Sequence, residues 1–153
     1  MSDSIEQHLR THKKALKGWW VEKNSGYDRA ICEALDMTPR KSRYWDAEWQ
    51  GMLLEFKKGK SIWLDLVRYS EILLKVTTEA SQPTITLFFV PSPSRDEIEE
   101  IVVVDTNHLI EKLKLNDEIA SSLVALNKHV PRQLNAQASL TLADIRKIAQ
   151  VII

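Results

Sequence analysis

Hydrophobic and polar residues alternate along two neighbouring stretches in the first half of the chain. Residues 43–49 alternate aromatic with polar side chains, and residues 52–58 form an apolar run that Glu55 and Lys57 interrupt. Side chains of a β-strand point alternately to its two faces, so both stretches are predicted to be strands. The dipeptide Gln-Gly at 50–51 is a turn candidate, and the two strands are therefore predicted to form a hairpin.

Apolar residues recur at helical spacing in several other stretches, and two further stretches are β-branched. Ser61 and Thr141 are candidate N-caps for two of the helices. Helices are predicted over residues 5–20, 27–37, 62–75, 106–115, 117–126 and 142–153. Strands are predicted over residues 84–90 and 98–104. Helices that precede and follow a small group of strands predict a mixed α/β fold around one sheet.

Composition favours one intracellular domain. The chain has 153 residues, of which 44% are hydrophobic, and no repeat or linker divides it. Its single cysteine, Cys32, excludes an intramolecular disulfide and favours a reducing, cytoplasmic location. No apolar run approaches the roughly 20 residues that a membrane span needs, so no membrane partner is expected. The glycine-rich phosphate-binding motifs are absent, which disfavours a nucleotide cofactor.

Charged residues within the predicted hairpin suggest a specific chemistry. Met52, Leu54 and Phe56 are expected to face the core, while Glu55 and Lys57 share the opposite face. Asp46 on the preceding strand can lie across from that face. Two carboxylates can hold a hard divalent cation such as Mg²⁺, and a lysine beside them can orient or deprotonate a water and stabilise charge on phosphorus. This combination is suited to phosphodiester hydrolysis.

The motif of Asp46 followed by Glu55-Phe56-Lys57 resembles the catalytic signature of the PD-(D/E)XK nuclease superfamily. The order of helix, three-stranded meander, helix and strand over residues 27–90 is also similar to the core of that family. The resemblance implies a restriction-endonuclease-like fold: a mixed β-sheet with helices on both faces, with residues 91–153 as elaboration of a single domain, 1–153. Residue 45 is tryptophan rather than the proline of the motif.

The resemblance also implies site residues and partners. Asp46 and Glu55 would bind Mg²⁺ or Mn²⁺, with Lys57 as the catalytic lysine. A further acid would be Glu48 beside Asp46, or Glu33 or Asp28 on the first helix. Double-stranded DNA would be the substrate, and cleavage of both antiparallel strands implies a homodimer. Phosphate contacts are expected from nearby basic residues: Arg40, Lys41, Arg43, Lys58 and Lys60.

Several biological roles are compatible with these residues. A type II restriction endonuclease is the leading description, and a Holliday-junction-resolving nuclease shares the fold, the size and the dimer. A non-catalytic nucleic-acid-binding or interaction module of the same fold is the alternative from another functional class. Glu55 and Lys57 could also be solvated residues on an edge strand, in a weak cross-strand pair with Asp46 or Lys60 that contributes only about 0.2–1 kcal/mol.

Overall fold

The computed structural model describes residues 2–22, 26–58, 62–77, 79 and 81–153. Six α-helices, two short 3₁₀ helices and eight strands are assigned within these residues. The helices are α1 (Ser2–His12), α2 (Asp28–Ala34), α3 (Leu66–Leu73), α4 (Thr106–Lys112), α5 (Asp117–Lys128) and α6 (Leu142–Lys147). The strands are β1 (Thr38–Pro39), β2 (Ala47–Trp49), β3 (Met52–Lys57), β4 (Ile62–Asp65), β5 (Thr84–Pro91), β6 (Ile98–Asp105), β7 (Gln137–Leu140) and β8 (Val151–Ile152). The expected cap Ser61 and the expected DNA contact Lys60 lie outside the described residues.

Six strands form one mixed sheet in the order β1-β2-β3-β5-β6-β8. Strand β3 pairs antiparallel with β2 and parallel with β5, and the remaining pairs are antiparallel. Parallel neighbouring strands need a crossover connection, and α3 lies in the connection that joins β3 to β5. β4 and β7 form a separate two-stranded sheet. Strand β3 therefore lies inside the main sheet and has a neighbour on each side.

Helices cover both faces of the main sheet. On one face, Leu54 and Leu87 pack with Leu9 of α1 and Ile31 of α2. On the other face, residues from β5 and β6 pack with α3, α4 and α6: Phe88, Val102, Val104, Tyr69, Leu109 and Ile145. The predicted mixed α/β architecture is confirmed. Among the described residues, no helix combines the length and the apolar character needed to cross a membrane.

The predicted hairpin is confirmed, and its turn explains its register. Trp49 of β2 pairs with Met52 of β3, which leaves Gln50 and Gly51 as a two-residue loop. Both loop residues have positive φ, at 47° and 77°. This is the conformation that a type I′ turn requires and that matches the twist of the flanking strands. The turn fixes which residues of β3 face each side of the sheet.

Three predicted helices are wrong in part. The helix predicted over residues 5–20 ends at His12, and Lys13–Ala15 and Gly18–Val21 form two short 3₁₀ helices after it. Residues 62–65 are not the first turn of a helix, because Ile62 to Asp65 form β4 and pair with residues 137–140. The helix that follows begins after Asp65, whose carboxylate accepts hydrogen bonds from the backbone N–H groups of Val67 and Arg68. The C-terminal helix ends at Lys147, and β8 then pairs with the edge of β6.

Candidate active site

Asp46 is held at the start of β2 by hydrogen bonds to β3. Its backbone N–H donates to the carbonyl of Leu54 at 2.8 Å. Its carboxylate Oδ2 accepts from the backbone N–H of Phe56 at 2.7 Å. The Asp46 side chain thus satisfies the backbone N–H of Phe56, a residue of β3 that lies beyond the segment paired with β2. Asp46 was predicted to lie within the strand, whereas it lies directly before it, and the carboxylate is fixed beside β3.

Glu55 is a buried acid in the middle of the main sheet. Its side chain is only 3% exposed. The hydroxyl of Tyr69 donates to its Oε2 at 2.9 Å, and the Nζ of Lys57 lies 2.7 Å from its Oε1. The guanidinium of Arg68 lies 3.6 Å from the same Oε1. A buried carboxylate needs compensating charge and donors, and these three side chains provide them.

The environment of Glu55 excludes the solvated-pair interpretation. An exposed pair would place both side chains in water on an edge strand, whereas β3 is an inner strand and Glu55 is buried. Oε1 of Glu55 has no well-oriented hydrogen-bond donor among the described residues, although Lys57 Nζ is near it. The charge of Oε1 is therefore offset by the ammonium of Lys57 rather than by a well-oriented hydrogen bond.

The three predicted catalytic residues meet at one cleft. Its volume is about 320 Å³, and Asp46, Glu55 and Lys57 all line it. Asp28, Lys58, Trp63 and Arg68 belong to the same lining. The elements that bring these residues together are the β2–β3 hairpin, the start of α2, β4 and the first turn of α3. Residues distant in sequence therefore surround a single polar space.

Burial and neighbouring acids alter the protonation of Asp46. Desolvation is the largest cause, and together with the negative charges of Asp28 and Glu55 it raises the pKa of Asp46 to about 6. The hydrogen bond from Phe56 and the charge of Lys58 oppose this change. A carboxyl with this pKa is mostly ionised at pH 7.5 and mostly protonated near pH 5.

The structure distinguishes among the candidates for a further acid. Asp28, in the first turn of α2, lines the cleft. Glu33 points elsewhere, since its exposed carboxylate lies 3.7 Å from Arg29 on the outer side of α2. Glu48 forms an ion pair with Arg40 at 2.7 Å and is not part of the cleft lining. Of the three, Asp28 has the position that a third acid of the site requires.

Most of the predicted DNA contacts are already paired with acids. Arg40 binds Glu48 and Glu79, and Arg43 binds Glu71 at 2.7 Å. Lys58 is nearly buried and pairs with Asp28. Lys41 is exposed. Binding of phosphate by the paired side chains would require exchange of their carboxylate partners, so these residues do not form a ready phosphate-binding surface.

The cleft has the oxygen donors that Mg²⁺ prefers. Asp46 and Glu55 can bind a cation, and Asp28 supplies a further carboxylate at the same cleft. Within the described ranges, no three acidic, histidine or cysteine side chains form a complete metal cage. Such a cage is not what Mg²⁺ needs, because this ion usually binds one or two carboxylates and keeps waters or substrate phosphate oxygens.

Tyr69 and Arg68 are site residues that the sequence alone did not identify. Tyr69 falls within the helix predicted over residues 62–75, for which no polar role was expected, and its pKa is raised well above the usual value, chiefly by burial and also by Glu55. A signal was available in principle, since a buried tyrosine hydroxyl usually has a hydrogen-bond partner. Which acid is the partner depends on the packing of α3 against β3.

Inferences about function rest on the geometry of the cleft alone. No family model matches this chain, and no curated protein and no solved structure matches it either.

Proposed function

We propose that the protein is a Mg²⁺-dependent endodeoxyribonuclease that hydrolyses phosphodiester bonds. The observation that carries this proposal is the convergence of Asp46, Glu55 and Lys57 on one cleft, with Glu55 buried and its Oε1 2.7 Å from the Nζ of Lys57. Two fixed carboxylates beside a lysine are the donor set expected for hydrolysis of a phosphodiester. The catalytic residues are Asp46, Glu55 and Lys57.

The order of elements supports a restriction-endonuclease-like fold. Helix α2 is followed by the short strands β1 and β2, by β3, by β4 of the separate two-stranded sheet, by α3 and by β5. Apart from β4, this order is the helix, three-stranded meander, helix and strand that the resemblance to the PD-(D/E)XK superfamily implies. The acid-x-lysine motif lies on the third strand of the meander, and the first acid lies directly before the second. These placements support the proposal.

Each side chain has a distinct proposed role. Asp46 and Glu55 would hold the metal ion, which would supply polarisation of a phosphoryl oxygen and activation of a water. Lys57 is oriented by the carboxylate of Glu55 and by the ring of Tyr69, whose centroid lies 5.9 Å from Nζ. Its ammonium can orient the attacking water and stabilise the negative charge that develops on phosphorus. Tyr69 positions Glu55 and does not contact the substrate.

We further propose that the active species on duplex DNA is a homodimer of the type II restriction endonuclease kind. One chain has one such cleft among its described residues, and the two strands of a duplex are antiparallel. A two-fold axis presents equivalent clefts to both strands. Analytical ultracentrifugation with a duplex oligonucleotide tests this assembly, and a strictly monomeric complex that cuts both strands would contradict it.

Incubation of supercoiled plasmid with the purified protein tests the proposed reaction. Nicked, linear or discretely cut DNA is expected with Mg²⁺ or Mn²⁺, and none with EDTA. Glu55→Gln is expected to be inactive, while Glu111→Gln, a matched change at an exposed glutamate of α4, is expected to cleave as the wild type does. Discrete fragments indicate sequence specificity, and selective cutting of four-way junctions indicates a resolvase. Folded wild type that is inert with all these substrates and metals would refute catalysis and favour a binding module.

The role of Tyr69 is tested by removal of its hydroxyl. Tyr69→Phe is expected to raise the Mg²⁺ concentration for half-maximal cleavage about 10-fold, because Glu55 loses its fixed donor. Tyr44→Phe is the matched control, since the Tyr44 hydroxyl donates to Glu71 at 2.8 Å away from the cleft. Equal Mg²⁺ dependence in both variants would show that the bond from Tyr69 has only a structural role.

A further inference from the structure

Trp63 is an exposed aromatic residue at the cleft that contains the proposed catalytic residues. It projects from β4 between the buried residues Ile62 and Leu64, and 56% of its surface is exposed. It lines the same cleft as Glu55 and Lys57. Isolated exposed hydrophobic residues are ordinary on protein surfaces. The location of Trp63, rather than its exposure alone, therefore suggests a function.

The indole ring of Trp63 lacks an aromatic neighbour in the part of the chain that the structure describes. The other four tryptophans each lie against an aromatic ring, as in the T-shaped contact of Trp19 with Tyr27 at 5.1 Å. The residue opposite Trp63 on β7 is Ser139, whose small, exposed side chain offers little cover. A flat aromatic surface is thus left beside the polar cleft.

Arg68 supplies a positive charge in the same lining. Its guanidinium is about one-third exposed and lies 3.6 Å from Glu55. Its Nε is buried and has no hydrogen-bond partner among the described residues. Guanidinium groups bind phosphate oxygens through several donors at once. The cleft therefore combines a ring that can stack and a cation that can bind phosphate, next to the carboxylates.

We propose that Trp63 and Arg68 bind one nucleotide of a locally single-stranded DNA segment. Trp63 stacks on the base, and Arg68 binds a phosphate of the same segment. A base within continuous duplex has both faces covered by its neighbours, so stacking on Trp63 requires an unpaired or extruded base. This inference rests on the proposed function in taking DNA as the polymer, and it extends that function by naming the substrate region that the cleft accepts.

Binding of two oligonucleotides of equal charge tests the inference without cleavage. The probes are fluorescein-labelled (dT)₁₂ and a 12-mer of abasic sites, titrated in EDTA at low salt and followed by anisotropy. Loss of stacking by one base is expected to weaken binding by about 5- to 100-fold. Wild type should prefer (dT)₁₂ by a factor in this range, and Trp63→Leu should bind both probes with equal, weak affinity.

Matched variants separate stacking from altered folding. Trp63→Phe retains an aromatic face and should recover part of the preference for (dT)₁₂. Trp19→Leu removes an exposed tryptophan outside the cleft lining and should bind as the wild type does. Arg68→Gln should weaken binding of both probes alike. It should also reduce the magnitude of the negative slope of log affinity against log salt by about one.

The outcomes distinguish failure of this inference from failure of the proposed reaction. Equal binding of the two probes by wild type, or an unchanged preference in Trp63→Leu, would overturn the inference even if plasmid is cleaved. Absence of binding to either probe at low salt would overturn it as well. A preference for (dT)₁₂ that depends on Trp63 would support it even in a protein that cleaves no DNA, because the assay contains no metal ion.

Discussion

Lys57→Met is expected to lower the rate of DNA cleavage by about 10²–10⁴-fold, the usual contribution of a positioned acid–base group. Methionine retains most of the length of the lysine stem and removes the ammonium. In the wild type that ammonium lies 2.7 Å from Glu55 and lines the cleft, so it is placed to act on a water held beside the carboxylates. Single-turnover cleavage of a labelled duplex in saturating Mg²⁺ measures the loss.

The control for Lys57→Met is Lys128→Met, an exposed lysine on α5. This substitution removes the same charge and should leave the rate unchanged. Lys57→Met leaves Glu55 with Tyr69 and Arg68 as partners, and the lost charge is expected to cost about 1–3 kcal/mol of stability. Circular dichroism should therefore confirm that the variant is folded at the assay temperature. A folded Lys57→Met that cleaves within threefold of the wild type would exclude the proposed role.

A double variant tests whether Glu55 and Lys57 act as one unit. Groups that act together in a single chemical step have strongly non-additive effects. The variant Glu55→Gln with Lys57→Met should therefore cleave about as slowly as the worse single variant. Losses that multiply would instead indicate two independent contributions and would contradict the shared site.

The central part of the fold could be predicted because its signals are local. Alternation over residues 52–57 placed Glu55 on the opposite side from Leu54 and Phe56, and the turn at 50–51 fixed the register. Strand β5 was predicted from its β-branched and aromatic residues alone. The approach of Asp46 to β3 followed from the same hairpin, since antiparallel neighbours bring opposed residues close together.

Other features depend on contacts between distant residues and were missed. Residues 62–65 satisfy helical spacing as well as alternation, and only pairing with residues 137–140 selects the strand. The C-terminal residues 151–152 likewise add to the edge of β6 instead of extending α6. Short apolar runs are ambiguous between helix and strand, and tertiary pairing decides between them.

Charge pairing was the least predictable property of the candidate site. Arg40 and Arg43 are close in sequence to the proposed catalytic acids, which made them reasonable candidates for phosphate contacts. Arg40 has one local partner, Glu48, but Glu79 and Glu71 lie 39 and 28 residues from the arginines they bind, and nothing in the local sequence indicates these two pairs. The hydrogen bond from Tyr69 to Glu55 is unpredictable for the same reason. The sequence identifies which residues can do the chemistry, and the packing determines which of them are available.

Asp46→Asn is expected to abolish cleavage and, at the same time, to stabilise the metal-free protein at neutral pH. The carboxyl has a pKa of about 6 in the folded protein, against 3.8 for the free side chain. Folding therefore favours the protonated form, so stability from this group is present below pH 4 and is lost as pH rises through 6. Asparagine remains neutral, and its carbonyl can still accept the hydrogen bond from Phe56.

The expected gain is about 1–3 kcal/mol at pH 7.5, since two pKa units correspond to at most about 3 kcal/mol. It should shrink toward zero at pH 4. Urea unfolding in EDTA at both pH values measures the gain, and Asp96→Asn, at an exposed loop position, should show no such pH dependence. A variant that is inactive and less stable than the wild type at pH 7.5 would mean that Asp46 serves the fold. Greater stability with lost activity is the result expected of an acid that is retained for its chemistry at a cost in stability.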